Sequence, residues 1–147
     1  MIFITGGTGF VGSHLTYRLV SQGYTVRLLV RSRTKISQLA KVFSYYNDDI
    51  TRYSSLIEYV DGDVTDVYSI QDGLKHDTDY IFHCAGLVSF WKHDKLRLNE
   101  VNHSGTANVV NAAIEAGVKK LVYVSSIAAL GDSVEKTISE KNHQYDV

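Results

Sequence analysis

A chain of 147 residues fits one domain with a real buried core, because about 70% of the unfolded surface disappears at this size. Acids and bases nearly cancel (16 against 15), so no overall field recruits nucleic acid or a membrane surface. Lone Cys84 excludes an internal disulfide, no apolar run approaches the roughly 20 residues of a membrane span, and the apolar start is too short for a signal peptide. The expected compartment is therefore the cytoplasm.

Strand-like runs fall at 1–5, 25–30, 56–60, 79–84 and 120–125, with helical patterns between them at 10–22, 34–43, 66–74 and 94–116. Gly23 and Gly117 follow two of the helices, where a left-handed residue is expected. In the longest helix Leu98, Val101, Gly105, Val109, Ala112 and Ala116 fall on one stripe. The aromatic and polar stretch 44–55 reads as a loop or frayed helix end. Strands rich in Val, Ile and Leu without strict alternation are buried on both faces. The alternation predicts an α/β fold: a doubly wound parallel sheet of about five strands, Rossmann-type, in one domain over 1–147.

The first strand runs straight into Thr5-Gly6-Gly7-Thr8-Gly9-Phe10-Val11-Gly12-Ser13-His14, with Val11, Leu15 and Leu19 at helical spacing behind it. A strand, a glycine turn and a helix N-terminus make an anion site, because backbone N–H groups converge and the helix dipole favours a phosphate. Gly6 permits the turn, Gly9 lets a pyrophosphate approach, and Gly12 lets the helix pack on the strand. These three, with Phe10 and Val11, are candidate cofactor-binding residues. The spacing differs by one residue from G-x-G-x-x-G, and a loop that merely caps the helix is the structural alternative.

In a dinucleotide fold the residue ending the second strand meets the adenosine ribose, where an acid selects a 2′-hydroxyl and an arginine a 2′-phosphate. Here the strand runs into Arg31-Ser32-Arg33-Thr34-Lys35, which favours NADP(H) over NAD(H). Arg31 is the leading phosphate ligand and Arg33 the second, while Lys35 reads as the solvated start of the next helix. Asp63, in Gly62-Asp63-Val64-Thr65-Asp66, either contacts adenine or helps cap the helix near Asp66. His83-Cys84-Ala85-Gly86 ends the fourth strand at the same edge, and the small Ala85 and Gly86 let a cofactor lie against the backbone. His83 reads as a packed histidine, and Cys84 as a buried, inert thiol. No metal site is expected.

These pieces, with Asn102-His103-Ser104-Gly105-Thr106-Ala107-Asn108 and Tyr123-Val124-Ser125-Ser126-Ile127-Ala128-Ala129, resemble the extended short-chain dehydrogenase/reductase superfamily. The likeness is closest to the dihydroflavonol reductase-like branch of the NAD(P)-dependent epimerase/dehydratase group, and it runs to about Gly131. It implies that Asp63 and Val64 touch adenine and that Ala85 and Gly86 line the cofactor. It further implies that Asn102 has a structural polar role beside the active site, and that Ser125 lines the cofactor next to a catalytic Ser126. A strand-end hydroxyl can hold a substrate carbonyl as hydride arrives.

The family's proton donor is a Tyr with a Lys four residues later, the Lys lowering the phenol's pKa. Among the ten tyrosines, Tyr17 is followed at that spacing by Ser21, Tyr53 by Ile57, Tyr80 by Cys84 and Tyr123 by Ile127, and Tyr145 has only two residues after it. The resemblance places that pair, later strands and the substrate lobe beyond Val147. The chain is thus expected to be the NADP(H)-binding part of an oxidoreductase acting on a small-molecule ketone or alcohol, binding without turnover. A nucleotide-sugar epimerase or dehydratase, a non-catalytic NADP(H) sensor and a mere packing fragment are the alternatives. Ending there would expose the strand near 121–124 as an edge. With the long helix, which the resemblance places in the family's dimer interface, this predicts a homo-oligomer of non-standard form or poor solubility.

Overall fold

The computed structural model describes residues 1–126 and Ala129. Tyr145 and the stretch running to Gly131 lie outside them. Five parallel strands, β1 (Ile2–Thr5), β2 (Val26–Val30), β3 (Ile57–Asp61), β4 (Tyr80–His83) and β5 (Lys120–Tyr123), form one sheet in the order β3-β2-β1-β4-β5. The chain builds outward from β1 to β3, then returns across β1 to add β4 and β5. That reversal puts a crevice at the carboxyl ends of β1 and β4. The α/β doubly wound architecture is the one expected.

Helices α1 (Phe10–Ser21) and α2 (Ile36–Tyr45) cover one face, and α3 (Val67–Gly73) and α5 (Gly105–Glu115) the other. Ile2, Ile4, Val26, Leu28 and Val30 pack with Val20, Leu39 and Phe43. Phe3, Leu29 and Ile81 point oppositely, onto Ile70, Val109 and Ala112. Every residue of β1 and β2 is buried, which explains why these strands show no polar alternation. The exception is Arg27, buried in β2. Its guanidinium donates to Glu58 at 2.8 Å, to Asp77 at 2.9 Å and to the Gly73 carbonyl at 3.2 Å. Burial alone would lower its pKa, but the hydrogen bonds to Asp77 and Glu58 more than offset that and hold it above the ordinary value.

Three local expectations are corrected. The long helix over 94–116 is segmented into α4 (Lys95–Asn99), a π-helical turn (Glu100–Ser104) and α5. Ala113 is buried with Val101, Gly105, Val109 and Ala112, while Ala116, the C-cap of α5, is exposed. The stretch 44–55 is a loop only over 46–49: α2 continues to Tyr45, and 50–55 is helical. Asp49 accepts the Thr51 N–H at 2.8 Å and starts a 3-10 helix, Ile50–Leu56, which packs the half-buried Tyr53 ring against Phe43 and Tyr17. The last strand stops at Tyr123 instead of 125. Gly23 and Gly117 have φ of +84° and +66°, as expected after helix ends.

Candidate functional site: the cleft over the glycine loop

A cleft of about 280 Å³ opens at the carboxyl ends of β1 to β4. Gly6 and Gly9 form its floor, and Gly62, Val64, Ala85 and Gly86 its sides. Gly6 turns the chain with φ +69°, and a Cβ there would stand 2.6 Å from the Ala85 nitrogen. A Cβ on Gly12 would stand 2.2 Å from the Gly6 carbonyl oxygen. Gly12 therefore seats α1 against the loop itself, a correction to the expectation that it packs on the strand. The Gly9 N–H donates to that same Gly6 carbonyl at 2.9 Å, which closes the turn.

Helix α1 has no side-chain cap at Gly9 and no acid in its first turn. Its leading N–H groups, those of Phe10, Val11 and Gly12, are donors that a helix leaves without intrahelical partners. With the Cβ-free floor this cradle fits a pyrophosphate by shape and by charge. The Phe10 ring is 83% exposed, lying edge-on to His14 with centroids 5.2 Å apart.

The basic run beyond β2 divides. Arg31 lines the cleft, its guanidinium 3.8 Å from the Asp63 carboxylate. Arg33 instead forms a two-point pair with Asp61 at 2.8 and 3.0 Å. Lys35, read from the sequence as merely solvated, and Gln38, not singled out at all, stand in the wall with Arg31. Their i, i+3 spacing was the signal, since it puts both on one face as the chain enters α2. Thr8, Leu29, Leu87 and Val101 also line the cleft.

Asp63 Oδ1 accepts the N–H and the hydroxyl of Thr65, both at 3.1 Å. The α3 cap is Asp66, which accepts the Tyr68 N–H at 3.1 Å. Val64 is buried at the cleft and meets Gly105, where a Cβ would lie 2.8 Å from Val64 Cγ2. Asn102, carried on the π-helical turn, accepts the Leu87 N–H at 2.7 Å and donates to the Leu87 carbonyl at 2.8 Å. It thus has the structural polar position expected, clamping the wall after β4.

Residues 2–146 match the model of the NAD dependent epimerase/dehydratase family. The chain belongs to that family. A Synechocystis protein named "Putative dihydroflavonol 4-reductase" is 33% identical over 99% of this chain and 38% of its own length. Mouse 3 beta-hydroxysteroid dehydrogenase type 7 is 28% identical over 90% of this chain and 34% of its own. The chain spans somewhat over a third of these relatives. A short-chain dehydrogenase/reductase superfamily protein of Agrobacterium tumefaciens, solved with bound NAD, superposes with a TM-score of 0.73 at 25% identity. That superposition covers 97% of this chain and 38% of the other. The likeness carried by the motifs, and the fold class with it, is borne out.

In this epimerase/dehydratase-family chain Ser125 and Ser126 follow β5, one strand outward from the cleft wall. The Ser126 carbonyl accepts the Ala129 N–H at 3.0 Å. Cys84 lines the cleft, half-buried where the sequence suggested full burial, and desolvation pushes its thiol up to about 11. A thiol so raised is protonated at neutral pH. Among the described residues no helix is long and apolar enough to cross a membrane, and no group of three or more His, Cys, Asp or Glu is placed to hold a metal ion.

Proposed function

We propose that this chain binds a nicotinamide dinucleotide, NADP(H) in preference to NAD(H), as the cofactor part of an oxidoreductase that interconverts a ketone and an alcohol. The observation that carries the preference is Arg31 in the cleft wall beside Lys35, with no carboxylate ending β2. Arg31 and Lys35 would hold the 2′-phosphate and the α1 N-terminus the pyrophosphate, with Asp63 and Val64 beside the adenine. Ala85 and Gly86 would lie against the rest of the cofactor, with Ser125 beside it. Bound there, the cofactor supplies or accepts hydride.

Ser126 would donate a hydrogen bond to the substrate oxygen. Val88, Phe90 and Trp91 continue the chain beyond the wall residues Gly86 and Leu87, and all three are strongly exposed. An exposed aromatic surface next to the cleft suits an apolar ring system. The names of the two relatives, a putative dihydroflavonol reductase and a hydroxysteroid dehydrogenase, point the same way. This favours reduction or oxidation over nucleotide-sugar epimerisation, which uses the same cofactor cradle.

Fluorescence titration with NADPH and NADH is the test. Wild-type chain is expected to bind NADPH the more tightly. Arg31→Ala is expected to weaken NADPH by about 10- to 100-fold while leaving NADH nearly unchanged. Tighter binding of NADH by the wild type, or equal losses for both nucleotides, would overturn the preference.

A further inference from the structure

Behind the cleft wall the buried polar atoms form a hydrogen-bond chain with one consistent direction. Thr5, His83 and Tyr123 are register partners across β1, β4 and β5, so they share one face of the sheet. His83 is fully buried there, its ring stacked on Tyr123 with centroids 5.2 Å apart. Its Nδ1 lies 2.6 Å from the Thr5 hydroxyl oxygen and its Nε2 lies 3.0 Å from that of Thr106.

What the hydroxyls do elsewhere sets the tautomer. The Thr106 hydroxyl donates to the Asn102 carbonyl at 2.7 Å. A hydroxyl has one proton, so toward His83 that oxygen can only accept, and Nε2 must carry the ring proton. Nδ1 is then a bare acceptor for the Thr5 hydroxyl, whose oxygen in turn accepts the Ala85 N–H at 3.3 Å. The line therefore runs from the Ala85 N–H through Thr5, the imidazole and Thr106 to the Asn102 carbonyl. A charged ring would donate at both nitrogens and deprive the Thr5 hydroxyl of its acceptor. Desolvation opposes that charge, lowering the ring's pKa to about 4.

Both ends of this line reach the cleft wall, one directly and one through a neighbour. Ala85 is part of the wall, and Asn102 clamps Leu87 two residues further along it. Thr5 immediately precedes the glycine loop. We propose that His83 is a positioning residue of the cofactor cleft. As a neutral ring protonated on Nε2, it fixes the wall at 85–87 relative to the glycine loop and the π-helical turn, and so sets affinity for the dinucleotide. The proposal rests on the cofactor reading above. A histidine kept for packing alone would be replaceable by an apolar side chain of similar volume with no change in binding.

The test uses the 147-residue chain. Nitrogen-15 spectra of the imidazole at pH 7 are expected to show Nε2 protonated and Nδ1 bare, and the opposite tautomer would overturn the proposal. Thr106→Val keeps the volume, the backbone and the imidazole but removes the hydroxyl. It is expected to shift the Ala85 amide resonance, across the ring, and to weaken NADPH about tenfold while circular dichroism stays native. His83→Leu is expected to lose at least as much. His83→Gln, whose amide can still donate to Thr106, is expected to recover part of it. A folded Thr106→Val chain that binds NADPH like the wild type overturns the positioning role and leaves the cofactor reading standing. Wild-type chain that binds neither nucleotide overturns both. Should His83→Leu fail to fold, Thr106→Val decides alone.

Discussion

Two glycines of the loop make different demands on the same turn. At Gly12 an added Cβ would stand 2.2 Å from the Gly6 carbonyl oxygen and 2.8 Å from its carbon, so α1 has to move away from the loop. At Gly9 the nearest atom would be the Gly6 oxygen at 3.2 Å, a contact that a shift of a few tenths of an ångström relieves. Gly12→Ala is therefore expected to destabilise the chain by about 1–3 kcal/mol and to abolish nucleotide binding with it. Gly9→Ala is expected to melt near the wild-type temperature and still bind NADPH poorly, because its methyl group stands where the pyrophosphate approaches. Urea denaturation beside a fluorescence titration separates the two. Equal stability losses would mean that both glycines serve folding alone. The residue types of this loop were legible from the sequence, and so was the turn at Gly6. The partner of Gly12 was not, since spacing shows that a helix must come close without showing what it comes close to.

At the scale of elements, β2 depends on a charge at its centre. Arg27 sits among Val26, Leu28 and Val30, and alternation cannot reveal whether such a residue faces solvent or a buried acceptor set. The acceptors come from β3 and from the stretch after α3, more than thirty residues away, which is why sequence reading passed over them. The Asp77 carboxyl is held below its ordinary range by its hydrogen bond from Arg27. That of Glu58 is lowered by Lys75 first and then by Arg27. A carboxyl depressed on folding contributes stability that is complete above its unfolded pKa and lost as pH falls through the folded one. The network is thus intact at neutral pH, and its contribution is lost as pH falls through and below the ordinary carboxylate range. Arg27→Met is expected to lower stability at pH 7 and to flatten the acid limb of a plot of stability against pH. An unchanged acid limb would show that the network does not couple to folding. The π-helical turn was hidden for a related reason. It carries a tertiary contact, the grip of Asn102 on Leu87, whereas helical periodicity reports only the regular turns on either side.

For the molecule as a whole, the doubly wound parallel sheet and the two-sided core were readable because strand-helix alternation leaves few ways to cover both faces. Assembly is a different matter, since a surface stripe looks the same in a monomer until something covers it. On the outward side of α5, Val110 is 37% exposed and Ile114 is 72% exposed, and Ala107 also faces out, all at i, i+3 and i+4 spacing. At the neighbouring end of the sheet, Val122, Tyr123 and Val124 are each about two-fifths exposed, and β5 pairs on one side with β4. Among the described residues no strand pairs with the outer side of β5, and two copies related by a two-fold axis would bury that side and the helix stripe at once. The 147-residue chain is therefore expected to self-associate, with a mass by light scattering that rises with concentration. Ile114→Glu would place two carboxylates against each other at such an interface and is expected to return the chain to monomer. It should leave NADPH binding unchanged, because α5 presents this stripe on the side opposite Val109 and Ala112, which face the sheet. A wild-type chain that remains monomeric at high concentration would show that α5 and β5 are covered by neither each other nor a second copy.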